Sequence, residues 1–517
     1  MVVSVNCFVI YNRHGHNSRA FDLGVQMADR KMVKTYLDEI SWGTEEDIEK
    51  EQRKSAKERR QLPKGCRSSV LYADIMRIAW PSLVELLLTS LVSMADMIMV
   101  GSMPNGDDAI SAVSLANQPK FIFVSMIIAL NVGVTAAIAR DRGAEQHDKA
   151  NNTLMQGLVM SLMVCVFGSI MGYVFAEPLV RFMANGSLSE EIVHMATTYL
   201  RIQMAGFMTM GIAATYTAAF RGTGNSQLPM VYNVTANLIN ICLNYLLING
   251  HFGFPALGVA GASLATVIGQ AVALVMAVFS AGTGKYYFNA KLRDFFRGFR
   301  VDFGTIGRIV KVGIPSLIEQ FILRVGIILF SRQVATLGQP GYATHQICMN
   351  IQSLSFMLGQ AMAVSSTTLV GQSLGKMRTD MAEHYSRRCT YLGLVISVFL
   401  GLLFGVFGTT IVGFYSDTPA VIQASIPVMI ILGVLQPIQT PQFILSGSLR
   451  GAGATKATAV ITLVCVLILR PLAGELFIAI LKWGLIGAWA AIALDQVVRT
   501  ALVMYFYGRG TWKKIKV

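Results

Sequence analysis

The sequence predicts an all-α integral membrane protein, with twelve transmembrane helices in two six-helix bundles that are parallel repeats about a pseudo-two-fold axis along the membrane normal. Three observations predict it. The 517 residues are 53% hydrophobic and only 14% charged, with a mean hydropathy of +0.53, whereas soluble domains carry about 25% charged residues. Lys and Arg alternate between the connections of the apolar segments in a ratio of 21 to 2. Three short motifs recur in order at nearly constant separation.

The first 70 residues hold 23 of the 72 charged residues, which leaves 49 for the remaining 447. Residues 1–70 are therefore expected to form a charged cytoplasmic tail. Val2 to Ile10 is short, lacks a basic leader and runs into charged sequence, so no signal peptide is expected and the first span serves as the insertion signal. Residues 45–67 have a pattern that a charged helix close to the membrane could show, but are expected to be a solvated tail that supplies positive charge.

A membrane helix needs about 20 apolar residues, and the chain has twelve such segments: 78–100, 116–139, 153–175, 194–217, 229–249, 257–281, 313–337, 344–370, 390–412, 422–446, 457–480 and 484–507. Runs such as Leu154 to Phe175 are apolar on every face. That excludes a barrel, whose strands would alternate, and leaves helices, which satisfy their own backbone in lipid. One set of connections carries three basic residues between 140 and 149, Arg221, seven between 285 and 311, four between 376 and 388, Arg450 and Lys456, and four from Arg509 onward. The other set carries Arg181 and Lys482. By the positive-inside rule both termini are cytoplasmic. The domains are then a 71–284 lobe, a basic 285–312 linker, a 313–508 lobe and a basic 509–517 tail. The charge of +14 is explained by these loops without nucleic acid, and the seven scattered cysteines show neither disulfide nor zinc spacing.

The duplication is visible in residues. Pro81-Ser82-Leu83-Val84-Glu85 opens span one and Pro315-Ser316-Leu317-Ile318-Glu319 opens span seven; Arg221-Gly222-Thr223-Gly224 follows span four and Arg450-Gly451-Ala452-Gly453 follows span ten. Gly258-Val259-Ala260-Gly261-Ala262 and Gly484-Leu485-Ile486-Gly487-Ala488 open spans six and twelve. Six spans per repeat is an even number, so the halves insert in the same sense. Such repeats are a hallmark of transporters, in which two bundles rock about a central site.

Ionisable groups in lipid cost several kcal/mol and persist where they have partners or a task. Asp96 lies near the outer end of span one, and its repeat counterpart is Phe330. It reads either as a cation-coupling acid or as a buried, neutral, hydrogen-bonded one. Span five supplies Asn233, Asn237, Asn240 and Asn244 on one helical face, with Thr266 in span six. Amide and hydroxyl oxygens are hard ligands for a small cation such as Na⁺, and the same groups serve as interhelical hydrogen-bonding glue. Asn233 and Asn237 form a possible additional polar site. Pro81 and Pro315, near the starts of their spans, suit either hinges or plain bends. Glu85 shares a face with Asp96 but lies roughly 16 Å away along the axis. In the second half Glu319, Asp495 and Arg499 stand within or near spans, and Asp495 and Arg499 form an i, i+4 pair. No Ser/His/Asp, HExxH or P-loop pattern is present, so the chain is expected to be no enzyme, to need no cofactor or resident metal, and to draw on an ion gradient.

Several of these motifs together resemble the multidrug and toxic compound extrusion (MATE) family: Ala95-Asp96-Met-Ile-Met-Val-Gly101, Ala109 to Ala116 at the start of span two, His345-Gln346 with Asn350-Ile351, Leu369-Val-Gly-Gln-Ser-Leu-Gly375, and both Arg-Gly-x-Gly turns. The likeness spans about residues 70–510. It implies a V-shaped, two-lobed antiporter of the inner (plasma) membrane, a monomer, that exports amphiphilic and often cationic small compounds in exchange for H⁺ or Na⁺. It places Asp96, Asn240, Asn244 and Thr266 at the coupling site and Pro81 at a proline whose kinking accompanies coupling. Some members have Asp where Asn244 stands, and the helix-ten acid of others corresponds to Gln439, so coupling is expected to centre on the first lobe. A lipid-linked oligosaccharide flippase of the same superfamily is the alternative, and an intramembrane enzyme a remote one.

Overall fold

The computed structural model describes residues 68–184, 189–288, 300–415 and 418–515. The charged helix considered for 45–67 lies outside them, as does part of the linker. Residues 66–517 form one compact unit. Its long helices are α1 (Ser68–Gly101), α2 (Gly106–Gly143), α3 (His147–Val174), α4 (Glu190–Ala205 continued as Phe207–Gly222), α5 (Gln227–Asn249), α6 (Gly258–Gly282), α7 (Phe303–Ala335), α8 (Gly338–Gly375), α9 (Thr379–Gly413), α10 (Pro419–Gly451), α11 (Thr455–Ile480) and α12 (Gly484–Gly508), with a short helix, Ala176–Ala184, between α3 and α4.

Eleven of these are single helices long and apolar enough to cross a bilayer. The fourth span differs from expectation in being two 16-residue helices parted at Gly206. A Cβ at Gly206 would meet the Val267 side chain at 2.4 Å, and the Thr209 hydroxyl donates to the Gly206 carbonyl at 2.6 Å. The break thus lets α4 pass close to α6. The first and seventh helices begin about ten residues before the apolar spans, because a polar first turn continues each helix out of the bilayer. Pro81 and Pro315 are consequently interior to their helices, a correction to the reading that puts them near the start. Each is followed by a serine whose hydroxyl donates to the carbonyl four residues back, Ser82 to Ile78 and Ser316 to Val312, both at 3.0 Å. Proline plus back-bonded serine is a bend-prone pair.

Packing follows membrane logic. The interior is built from small residues, with Ala109, Ala112, Ala116, Ala136, Ala137 and Ala139 fully buried along α2. Large apolar side chains such as Leu91, Ile98, Phe279, Phe399 and Val406 face outward, as they do where the solvent is hydrocarbon. The repeat is carried into the backbone. Gly224 and Gly453 both have positive φ, as do Gly258 and Gly484. Both Arg-Gly-x-Gly turns close with the same bond spanning five residues, Asn225 to Phe220 and Ala454 to Leu449.

The lobes are joined by hydrogen bonds at the end that carries the basic loops. Arg140 Nη2 donates to the Ala452 carbonyl at 2.9 Å, and Gln372 Nε2 donates to the Gly222 carbonyl at 3.0 Å. Asp141 receives both terminal nitrogens of Arg308, at 2.8 and 3.3 Å, and the Thr153 hydroxyl at 2.6 Å. This end is therefore closed.

Candidate functional site

α1 and α5 run parallel and in register. Asn233 Nδ2 donates to Glu85 Oε1 at 2.7 Å, Asn237 Nδ2 to Thr89 Oγ1 at 3.2 Å, and Asn244 Nδ2 to Asp96 Oδ1 at 2.5 Å. The separation in sequence is 148 residues each time, so the asparagine stripe of α5 is a ladder read by one face of α1. Asn233 and Asn237 lie apart from Asp96, toward the lower, basic end of the ladder, because about 16 Å of helix separates Glu85 from Asp96.

The upper end is a compact polar cluster. With the Asn240 amide oriented to suit its neighbours, Nδ2 donates to Asp96 Oδ1 at 2.9 Å and Oδ1 accepts from the Thr266 hydroxyl at 3.2 Å. Asn240 and Asn244 are buried, Asp96 is half-buried, and Asn244 Oδ1 is a buried acceptor with no hydrogen-bond partner. The four residues predicted together, Asp96, Asn240, Asn244 and Thr266, are together. They present a carboxylate, a free amide oxygen and a hydroxyl, all hard oxygens, and the cluster is enclosed by the first lobe. One neighbour was not foreseen: the Lys120 ammonium of α2 lies within Coulombic reach of Asp96 and donates to Gln203 Oε1 at 2.8 Å. A lone lysine inside an apolar span was the available signal.

At the lower end Glu85 accepts from Arg221 at 2.7 Å as well as from Asn233. The second lobe repeats the device: Glu319 accepts from Arg450 at 2.6 Å and from the Thr458 hydroxyl at 2.9 Å. A duplicated acid and a duplicated arginine thus make a duplicated ion pair, which the separate motifs did not reveal. Both pairs form the floor of a cavity of about 940 Å³ between the lobes, a size typical of small-molecule sites. Its walls mix polar groups with Ile128, Met210, Leu323, Ile327, Met349 and Phe356.

Asp495 and Arg499 do pair, at 2.6 to 3.2 Å, and Arg470 of α11 joins as a third member through two bonds to Asp495 Oδ2. Arg470 and Arg499 line the cavity. Gln439 does not line it. It bonds Gln352, Ser355 and Gln436 inside the second lobe, and Phe330, at the position corresponding to Asp96, is buried against Arg470.

Comparison with known proteins agrees with the duplicated architecture. The MatE family model matches twice, over residues 81–246 and 315–473. The probable multidrug resistance protein NorM of Thermotoga maritima is 29% identical over 444 residues, covering 85% of this chain and 93% of that protein. The multidrug resistance protein PmpM of Pseudomonas aeruginosa is 25% identical over 414 residues, covering 78% and 83%. Among solved structures, the outward-facing conformation of a multidrug resistance MATE family transporter of the MOP superfamily superposes with a TM-score of 0.77 at 23% identity, covering 86% of this chain and 96% of that one.

Proposed function

Because the chain belongs to the MatE family, we propose that it is a secondary antiporter that exports amphiphilic small compounds through the central cavity while H⁺ or Na⁺ moves inward through the first lobe. The observation that carries this reading is the separation of two polar sites that share the first bundle: Asp96, Asn240, Asn244 and Thr266 enclosed within it, and a large cavity that it walls together with the second lobe. An ion held at the first changes the shape of the bundle that walls the second.

The energetics permit it. A ligand shifts a conformational equilibrium only by its differential affinity for the two states, and about 1.4 kcal/mol gives a factor of ten. One monovalent cation moving inward supplies about 2.3 kcal/mol per 100 mV. Asp96 is the acceptor because Asn240 and Asn244 stabilise its charge with hydrogen bonds while Asn244 Oδ1 and Thr266 remain as further oxygens. Pro81, one turn before Glu85, is the point at which α1 bends when the cluster changes state. The basic end is cytoplasmic by the positive-inside rule, with both termini there, and the protein works as a monomer in the plasma membrane. The related proteins are named for multidrug resistance, which favours drug export over the movement of lipid-linked sugars.

The test is transport in proteoliposomes with an imposed pH gradient or an imposed Na⁺ gradient. Substrate movement under one of them, lost in Asp96→Asn, is the expected result. Movement that ignores both gradients would refute ion coupling.

A further inference from the structure

From the charge on the cavity wall we infer the substrate class: the central cavity selects amphiphiles that carry an oxyanion. The inference rests on the reading that this cavity holds the exported compound. Arg221, Arg324, Arg450, Arg470 and Arg499 line it, against only Glu85 and Glu319. Neither glutamate is available to a cationic ligand. Glu85 is held by Arg221 and Asn233, and Glu319 by Arg450 and Thr458.

The remaining arginines are not neutralised. Asp495, fully buried behind the wall, receives both Arg470 and Arg499, so two guanidiniums share one carboxylate. Arg324 has no carboxylate partner among the described residues. It is exposed into the cavity, and its guanidinium lies over the Phe121 ring of the opposite lobe at 4.0 Å. Five guanidiniums therefore face three carboxylates, an excess of two positive charges in a cavity at membrane depth. There a charge interacts far more strongly than in water, and a second cation is repelled as an oxyanion is attracted. Guanidinium also matches the planar or forked oxygens of carboxylate, sulfonate and phosphate. The apolar wall, Ile128, Met210, Ile327 and Met349 among others, takes the hydrophobic body. The family resemblance implies compounds that are often cationic; this wall has the opposite preference.

Two probes with one body decide it: 4-(1-pyrenyl)butyrate and 4-(1-pyrenyl)butyltrimethylammonium, titrated by pyrene fluorescence against the purified full-length protein in neutral detergent. Pyrenebutyrate is expected to bind at least tenfold more tightly than the ammonium compound. Arg324→Gln should weaken it about tenfold and Arg324→Lys restore most of the loss; neither change strands a carboxylate, so both should fold. Arg324→Glu should move the preference toward the ammonium compound. Equal or tighter binding of the ammonium compound by the unsubstituted protein would overturn the inference, as would pyrenebutyrate binding that none of the three substitutions alters. Gradient-driven movement in proteoliposomes is read separately. A tenfold binding preference without movement of either probe or of ethidium would support the oxyanion site and sink the export reading, whereas movement of ethidium or the ammonium probe with no preference for pyrenebutyrate would do the reverse.

Discussion

Gly143 of α2 and Gln372 of α8 meet across the two lobes so closely that a Cβ on the glycine would lie 2.0 Å from the Gln372 carbonyl oxygen. The repeat returns the contact: a Cβ on Gly375 of α8 would lie 2.2 Å from the carbonyl oxygen of Arg140 in α2. In each case glycine comes three residues after the residue whose side chain bonds the opposite lobe, Arg140 to Ala452 and Gln372 to Gly222. Closure of the basic end thus depends on two backbones touching, with two side chains tying them.

Gly143→Ala should therefore wedge that end open. The methyl cannot fit without backbone movement, and overpacking of this kind costs about 1–3 kcal/mol, enough to shift a two-state balance by roughly five- to more than a hundredfold. Spin labels at exposed Lys149→Cys and Asp380→Cys, in a cysteine-free background, should report longer separations in Gly143→Ala. An unchanged distance distribution would show that the glycine contact does not hold the closed state.

Asp96→Asn should abolish ion-driven export and leave the protein folded. The amide preserves the size of the side chain and one oxygen for Asn240 and Asn244, but it removes the only carboxylate of the cluster. Thermal unfolding close to that of the unsubstituted protein, with gradient-driven transport at background, is the expected pair of results. Full export by the variant would place coupling elsewhere.

Lys120→Gln tests the neighbour. An ammonium within Coulombic reach of Asp96 repels any cation arriving there. At an effective dielectric of about 20 such a repulsion is of order 1–2 kcal/mol. Its removal should tighten binding of the coupling cation about tenfold, read as a lower ion concentration for half-maximal transport. A weaker dependence on the ion would instead make Lys120 a partner that the loaded site needs.

Much of this was legible in the sequence, and the limits have a physical pattern. Spans and duplication follow from composition and spacing because lipid imposes length and apolarity on each helix. The cluster of Asp96 with Asn240, Asn244 and Thr266 was legible because the helical period puts the amides on one face. What periodicity cannot give is register between helices. The same stripe splits into two sites because α1 reads it in parallel, Asn233 opposite Glu85 and Asn244 opposite Asp96. Nor does spacing say that Arg470 and Asp495, on different helices, share one buried cluster, or that Gln439 turns inward toward Gln352. The break at Gly206 was invisible because the residues on either side of it, Met204 to Met210, are nearly all apolar.

The paired floor of the cavity yields the last prediction. Glu85 and Glu319 are both buried, while Arg221 and Arg450 are about one-fifth exposed, so removing one glutamate strands an arginine that is mostly out of water. Breaking a buried pair from one side costs about 3–5 kcal/mol. Partial exposure reduces this to about 2–3 kcal/mol for Glu85→Gln or Glu319→Gln, while Glu85→Gln with Arg221→Gln should recover part of it, since the pair removed together leaves no unpaired charge. Thermal unfolding in detergent measures all three. The two single variants should also lose similar amounts, because each glutamate has one arginine and one further donor, Asn233 or Thr458. If Glu85→Gln proved as stable as the unsubstituted protein but inactive, the carboxylate would be acting on substrate or ion, and the duplicated pairs would have unequal roles.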